Sequence, residues 1–175
     1  MKFLTLLLCA FLLFQCKKEA DPVPADPKFI PFQKGKTIGT LNEQTYIGDT
    51  YCTSFGATNN RKLQFTVGTY ADTINYSLRG ELSFNAVPFK TGTYTIGDSI
   101  HCQLSMVRGD VIEAVYEPDS LYTTPSISID SISPSGNEVF GTFNAHLRRQ
   151  FHFDPTAADS MNFVNCSFRV LVDQR

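Results

Sequence analysis

Between Thr37 and Val172 apolar side chains return at every second position, segment after segment, and this period most restricts how the chain can fold. Leu63, Phe65 and Val67 share a face in KLQFTV, Ile74, Tyr76 and Leu78 in TINYSL, and Cys102, Leu104 and Met106 in HCQLSM. Ile127 and Ile129 follow in SISID, and Val139, Gly141, Phe143, Ala145 and Leu147 in VFGTFNAHL. The last segment offers Val164, Cys166, Phe168, Val170 and Val172, with Arg169 on the other face. A period of two places alternate side chains on opposite faces, the pattern of strands buried on one side. Turn-forming residues punctuate the runs at Asn59-Asn60, Arg79-Gly80, Thr91-Gly92, Gly97-Asp98, Gly109-Asp110 and Ser133 to Gly136. No amphipathic helix lies between them to carry a crossover, so consecutive strands are expected to pair antiparallel. Residues 36–175 therefore read as one all-β domain, an antiparallel β-sandwich of about 8–10 strands, with a lipocalin-like closed barrel as the alternative.

The N-terminal residues follow other rules. Met1-Lys2 is a short basic start, and Phe3 to Phe14 is an almost unbroken apolar stretch of twelve residues. As a helix it would rise about 18 Å, too short for a hydrocarbon core of roughly 30 Å. Residues 1–15 thus fit a cleaved export signal rather than a spanning helix. The junction reads Leu13-Phe14-Gln15-Cys16, followed by Lys17-Lys18. A leucine three residues before a cysteine resembles the lipobox of bacterial lipoproteins, here in the looser form of Bacteroidota-type proteins, with Gln15 where a small residue is usual. That resemblance implies acylation of Cys16, palmitate-type chains included, and attachment to the outer membrane in the cell envelope, facing the periplasm or the surface. Residues 16–35 then form a tether in which Pro22, Pro24, Pro27 and Pro31 favour an extended chain. About twenty such residues at about 3.1 Å each reach roughly 60 Å.

The order of pieces in the domain carries a second resemblance. Gly39-Thr-Leu-Asn leads into a tyrosine-rich strand, GTYTIGD and Tyr116 and Tyr122 follow, and VFGTFNAHL and NFVNCSFRVLV close the chain. From Lys36 to Val172 this is similar to a family of Bacteroidota lipoproteins that carry an all-β domain of unknown function. Cys166 stands where that family's last motif has glycine. The resemblance implies an all-β fold and an envelope location, and no activity.

Catalytic patterns are scarce. His101, His146 and His152 have no carboxylate or cysteine at ligand spacing, and no nucleophile elbow, Cys-x-x-Cys or phosphate loop occurs. No catalytic, cofactor or metal residues are therefore assigned, and a non-enzyme is expected. Loss of residues 1–15 would leave 14 basic against 17 acidic side chains, which gives no footing for nucleic acid. Arg108-Gly109-Asp110 falls between two expected strands and reads as a hairpin turn. Export permits disulfides, and Cys102 and Cys166, both on apolar faces, are the candidate pair; three buried thiols, with Cys52, are the other reading. Asp-Ser/Thr-aliphatic triplets recur five times, far more often than composition would place them, at Thr73, Ser99, Ser120, Ser131 and Ser160. The triplet resembles the O-glycosylation acceptor of Bacteroidota; it is also how a turn hands over to a strand.

Two functions fit. One is a lipid-anchored binding or assembly module whose partner is an unknown envelope protein or glycan. The other is a lipocalin-like carrier holding a small apolar ligand inside a barrel. If Cys16 carries the lipid, Cys16→Ala should move the protein from the detergent phase to the aqueous phase on temperature-induced separation; unchanged partitioning would refute the anchor.

Overall fold

The computed structural model describes residues 34–70, 78–97, 99–119, 121–122, 124–153 and 155–174. The expected signal and nearly all of the tether, with Cys16, lie outside the described residues, as do Thr73, Ser120 and most of TINYSL.

Ten strands follow one another: β1 (Lys36–Leu41), β2 (Gln44–Phe55), β3 (Lys62–Tyr70), β4 (Leu78–Pro88), β5 (Gly92–Thr95), β6 (His101–Arg108), β7 (Val111–Pro118), β8 (Ser126–Ile132), β9 (Glu138–His152) and β10 (Ser160–Gln174). The chain is all-β, and each of the pairs β1–β2, β2–β3, β3–β4, β6–β7, β8–β9 and β9–β10 is antiparallel. One pairing breaks that rule. The end of β10 runs parallel to β2, Val172 opposite Cys52 and Gln174 opposite Ser54, so the sheet is mixed.

This parallel contact closes the sheet. Neighbours run β2-β3-β4-β6-β7-β9-β10 and back to β2, a ring of seven strands. Lower down, β1 fills the space between the closing strands, bonded to β10 on one side and β2 on the other. β7 and β8 lie on the same side of β9, β7 against Leu147 to His152 and β8 against Val139 to Asn144. The short β5 pairs with β8 and not with its sequence neighbours.

The interior is filled with side chains. Phe65, Phe84, Phe143, Phe163, Phe168 and Tyr116 are all buried, as are Leu63, Leu82, Leu104 and Leu147. Rings from β3 and β4 meet rings from β9 and β10 across the core, Phe65 with Phe168 and Phe84 with Phe143, both at 5.0 Å between centres. Tilted aromatic contacts of this length add about 0.5–1.5 kcal/mol each beyond area burial. Facing walls packed through one core also describe a sandwich; the β10–β2 contact makes the walls continuous.

Two expectations need correction. Arg79-Gly80 is not a turn but lies inside β4, where Gly80 is buried and a Cβ would come within 2.2 Å of Thr69 Oγ1. Val164 does not share the core face with Cys166. Across this stretch β9 advances two residues, Ala145 to Phe143, while β10 advances three, Phe163 to Cys166. The extra residue is a β-bulge, with Asn165 at φ 51° and its N–H bonded to Asn144 Oδ1 at 2.8 Å. Phe163 thus takes the buried position and Val164 is only partly covered. Arg169 does point outward, yet it is not idle there: its Nε donates to Glu138 Oε1 at 2.8 Å and its guanidinium lies 5.0 Å from the Phe140 ring centre.

The bulge makes a direct prediction about neighbouring residues. Phe163→Ala should cost about 3–5 kcal/mol in denaturant unfolding, and Val164→Ala less than about 1.5 kcal/mol. The opposite ranking would restore unbroken alternation and remove the bulge.

Candidate functional site

The outer wall carries a marked depression. It arises where the ring closes. At the start of β1 the chain still bridges the two closing strands, with Gly35 N–H bonded to Arg169 O and Thr50 N–H bonded to Gly35 O. Just beyond, β2 and β10 come together at Cys52 and Val172. The fork between them opens a groove of about 730 Å³ lined by Asp49, Tyr51, Thr53, Gln64, Thr66 and Leu171, among others.

Strand periodicity sets which side chains reach it. On β2 the even positions Tyr46, Gly48, Thr50, Cys52 and Ser54 are buried, so the odd ones face outward. Tyr51 is 67 % exposed and Leu171 51 %, while Cys52 and Val170 form the buried floor. Across the β2–β3 ladder Tyr51 stands opposite Thr66 and Thr53 opposite Gln64, short or planar side chains that leave the tyrosine ring proud of the wall. A second, smaller dent of about 190 Å³ continues past Thr66 to Gly68 and Glu81, sharing Asp49, Tyr51 and Thr66 with the first. Tyr51 therefore stands between two hollows.

Charges at the groove are largely committed. Lys36 Nζ is hydrogen-bonded to Asp49 Oδ1, and Lys34 sits 3.8 Å from Glu138, which also takes the Arg169 guanidinium. The hydrogen bonds from Arg169 hold the Glu138 carboxyl below the usual glutamate range. Asp173 adds a further carboxylate to the lining.

The remaining sequence candidates are scattered. Cys52, Cys102 and Cys166 are all buried free thiols, so the bridge proposed between Cys102 and Cys166 is not formed. Cys166 instead packs on Gly39, where a Cβ would lie 2.6 Å from its Sγ, and Cys102 lies on β6 opposite Phe84. Burial pushes the Cys52 and Cys166 thiols up to about 12 and that of Cys102 further still, which keeps them protonated. Ser99 and Ser131 are exposed and Ser160 is half-buried. At the Asp119 triplet the aspartate is buried and accepts the Leu121 N–H at 3.0 Å, an Asx-turn. In the last triplet, Asp159 pairs with Arg149 just before β10 begins.

His146 stacks under the exposed Tyr122 at 4.2 Å, and His101 and His152 open β6 and end β9. Among the described residues no three His, Cys, Asp or Glu side chains gather as metal ligands would. Arg108-Gly109-Asp110 forms the β6–β7 hairpin turn, with Gly109 at φ 60° and Arg108 3.4 Å from Glu113. Beside that hairpin Val111, Ile112, Phe151 and Phe153 are exposed, the two phenylalanines edge to face at 4.8 Å.

Tyr51 is only faintly marked in the sequence. The signal was available in QTYIGDTYCTSF, where Ile47, Tyr51 and Phe55 keep one parity while the opposite parity holds the buried residues. In comparisons with family models, curated proteins and solved structures, the chain gave no significant match.

Burial of the thiols can be tested chemically. With the ordinary thiol value at 9.0 and Cys52 at about 12, its thiolate fraction near pH 8 falls about a thousandfold. A thiol reagent should therefore label none of Cys52, Cys102 and Cys166 in the native protein and all three in denaturant without reductant. Labelling of only one would restore the Cys102–Cys166 bridge.

Proposed function

We propose that the protein is a non-catalytic binding module, held at the cell envelope by a lipid on Cys16, that meets its partner with the outer wall of the barrel around Tyr51. The observation that carries this reading is the pairing of a filled interior with an open groove. Phe65, Phe84, Phe143, Phe163 and Phe168 occupy the space in which a carrier of the lipocalin type would hold its cargo. The groove outside is built on strands bonded on both sides, so its side chains are already positioned before a partner arrives. Burial keeps the Cys52 and Cys166 thiols protonated, which suits a structural role for them in a binding module.

The lineage-type features fit the same picture. The lipobox-like junction at Cys16 and the proline-rich stretch after it suit a domain displayed at a distance from a bilayer. Exposed Ser99 and Ser131 suit sites for a solubilising glycan, since a modified hydroxyl must face solvent.

Native mass spectrometry of the detergent-solubilised protein separates this reading from the carrier. The expected spectrum shows the acylated chain alone once detergent is stripped. A stoichiometric small apolar ligand, released on unfolding and retained in a Tyr51→Ala variant, would overturn the proposal in favour of a carrier.

A further inference from the structure

We infer that the groove at the fork binds a neutral oligosaccharide, with a sugar ring laid on the face of Tyr51; this rests on the binding-module reading and names its ligand class. An aromatic ring that is 67 % exposed, flanked by threonines and standing between two hollows, offers an apolar face next to hydrogen-bonding groups. Pyranose rings have the complementary build, with C–H bonds on one face and hydroxyls around the rim.

The polar groups around Tyr51 suit those hydroxyls. Gln64 offers an amide that both donates and accepts, Thr53 and Thr66 offer hydroxyls, and Asp173 offers a carboxylate able to accept from two neighbouring hydroxyls. The hollows lie on either side of the ring and share Asp49, Tyr51 and Thr66, so the site is continuous over more than one sugar unit.

Other ligand classes fit less well. An anion would need a cation, but Lys36 is engaged by Asp49 and Lys34 lies beside Glu138. An extended peptide would need a free strand edge, but β2 is bonded to β3 on one flank and to β1 and β10 on the other, and β3 lies between β2 and β4. An apolar ligand would find Leu171 and the tyrosine ring set among polar side chains.

The test is calorimetric titration of the detergent-solubilised full-length protein. The probes are neutral hexasaccharides of glucose in α and β linkage, mannose, xylose and N-acetylglucosamine, with an oligogalacturonate as the anionic comparison. At least one neutral hexasaccharide should bind with a dissociation constant between micromolar and millimolar. Tyr51→Phe should keep the affinity within about threefold, because the ring face remains, and Tyr51→Ala should weaken it at least tenfold. Gly68→Val serves as a second variant. A Cβ there would make only ordinary contact, 3.7 Å from Asp49 O, and the methyls beyond it would narrow the smaller hollow. It should weaken binding several-fold with the melting temperature unchanged.

Absence of binding to every neutral probe would overturn the inference. So would tighter binding of oligogalacturonate, or binding that both Tyr51→Ala and Gly68→Val leave intact. None of these outcomes alters detergent partitioning or the native mass spectrum, so the binding-module reading stands or falls separately.

Discussion

The whole ring depends on how β10 meets β2. Two strands running the same way are joined directly only over Val172 to Gln174, and below that point the space between them is held by β1, antiparallel to both. For β10 to serve β9 on one flank and β1 on the other, its pleat must shift by one residue at the same height on both sides. The register irregularities do coincide: between Phe163 and Cys166 against β9, and opposite Ile38 to Thr40 of β1. A bulge sharpens local twist, and a strand at a closing seam needs that twist to leave one neighbour and reach another. Asn165, with its positive φ and its hydrogen bond to the Asn144 side chain, tolerates the backbone that the bulge requires.

The seam is also where side-chain volume is most tightly matched. Cys166 lies in the space left by the missing side chain of Gly39. Thr37 and Thr50 bond to one another at 2.6 Å with both residues buried, so a polar pair sits within the closure without an unmet group. Tyr46 sends its hydroxyl to Gly68 O at 2.9 Å, tying the inner face of β2 to β3, and burial raises that phenol well above its ordinary value. These contacts fix β1, β2 and β10 relative to one another, and the geometry of the fork above them follows. The groove is a consequence of closure, not an addition to it.

That dependence explains what could be read from the chain beforehand. The core faces of β3, β6, β8 and β9 follow from a period of two, a local property that survives whatever the strands pair with. The bulge was hidden because Phe163 and Val164 are both apolar, so either parity gives a plausible buried face. Arg79-Gly80 looked like a turn because glycine marks turns, whereas Gly80 is there to let Thr69 and Met106 approach the backbone. The thiols at 102 and 166 shared a pattern of burial, which says each faces the interior and nothing about their separation. Ring closure by a parallel contact between the second strand and the last is set by contacts more than a hundred residues apart along the chain, as Cys52 and Val172 are. Tyr51 escaped notice because an outward aromatic has significance only once the neighbouring strands, and the hollows beside it, are known.

Closure also fixes the relation between the groove and the start of β1. Lys34 lines the groove, and Gly35 is bonded to β10 on one side and to β2 on the other. The first strand therefore begins at the rim of the groove. β1 is flanked by hydrogen bonds along its length, to β2 from Lys36 to Leu41 and to β10 over nearly the same span. A load applied at Lys34 along the strand would have to shear both ladders together, since no single row of bonds can open first. With a lipid tether upstream, the same strand that completes the wall beside Tyr51 would also take the pull of the anchor. Anchoring and recognition would then share one structural element.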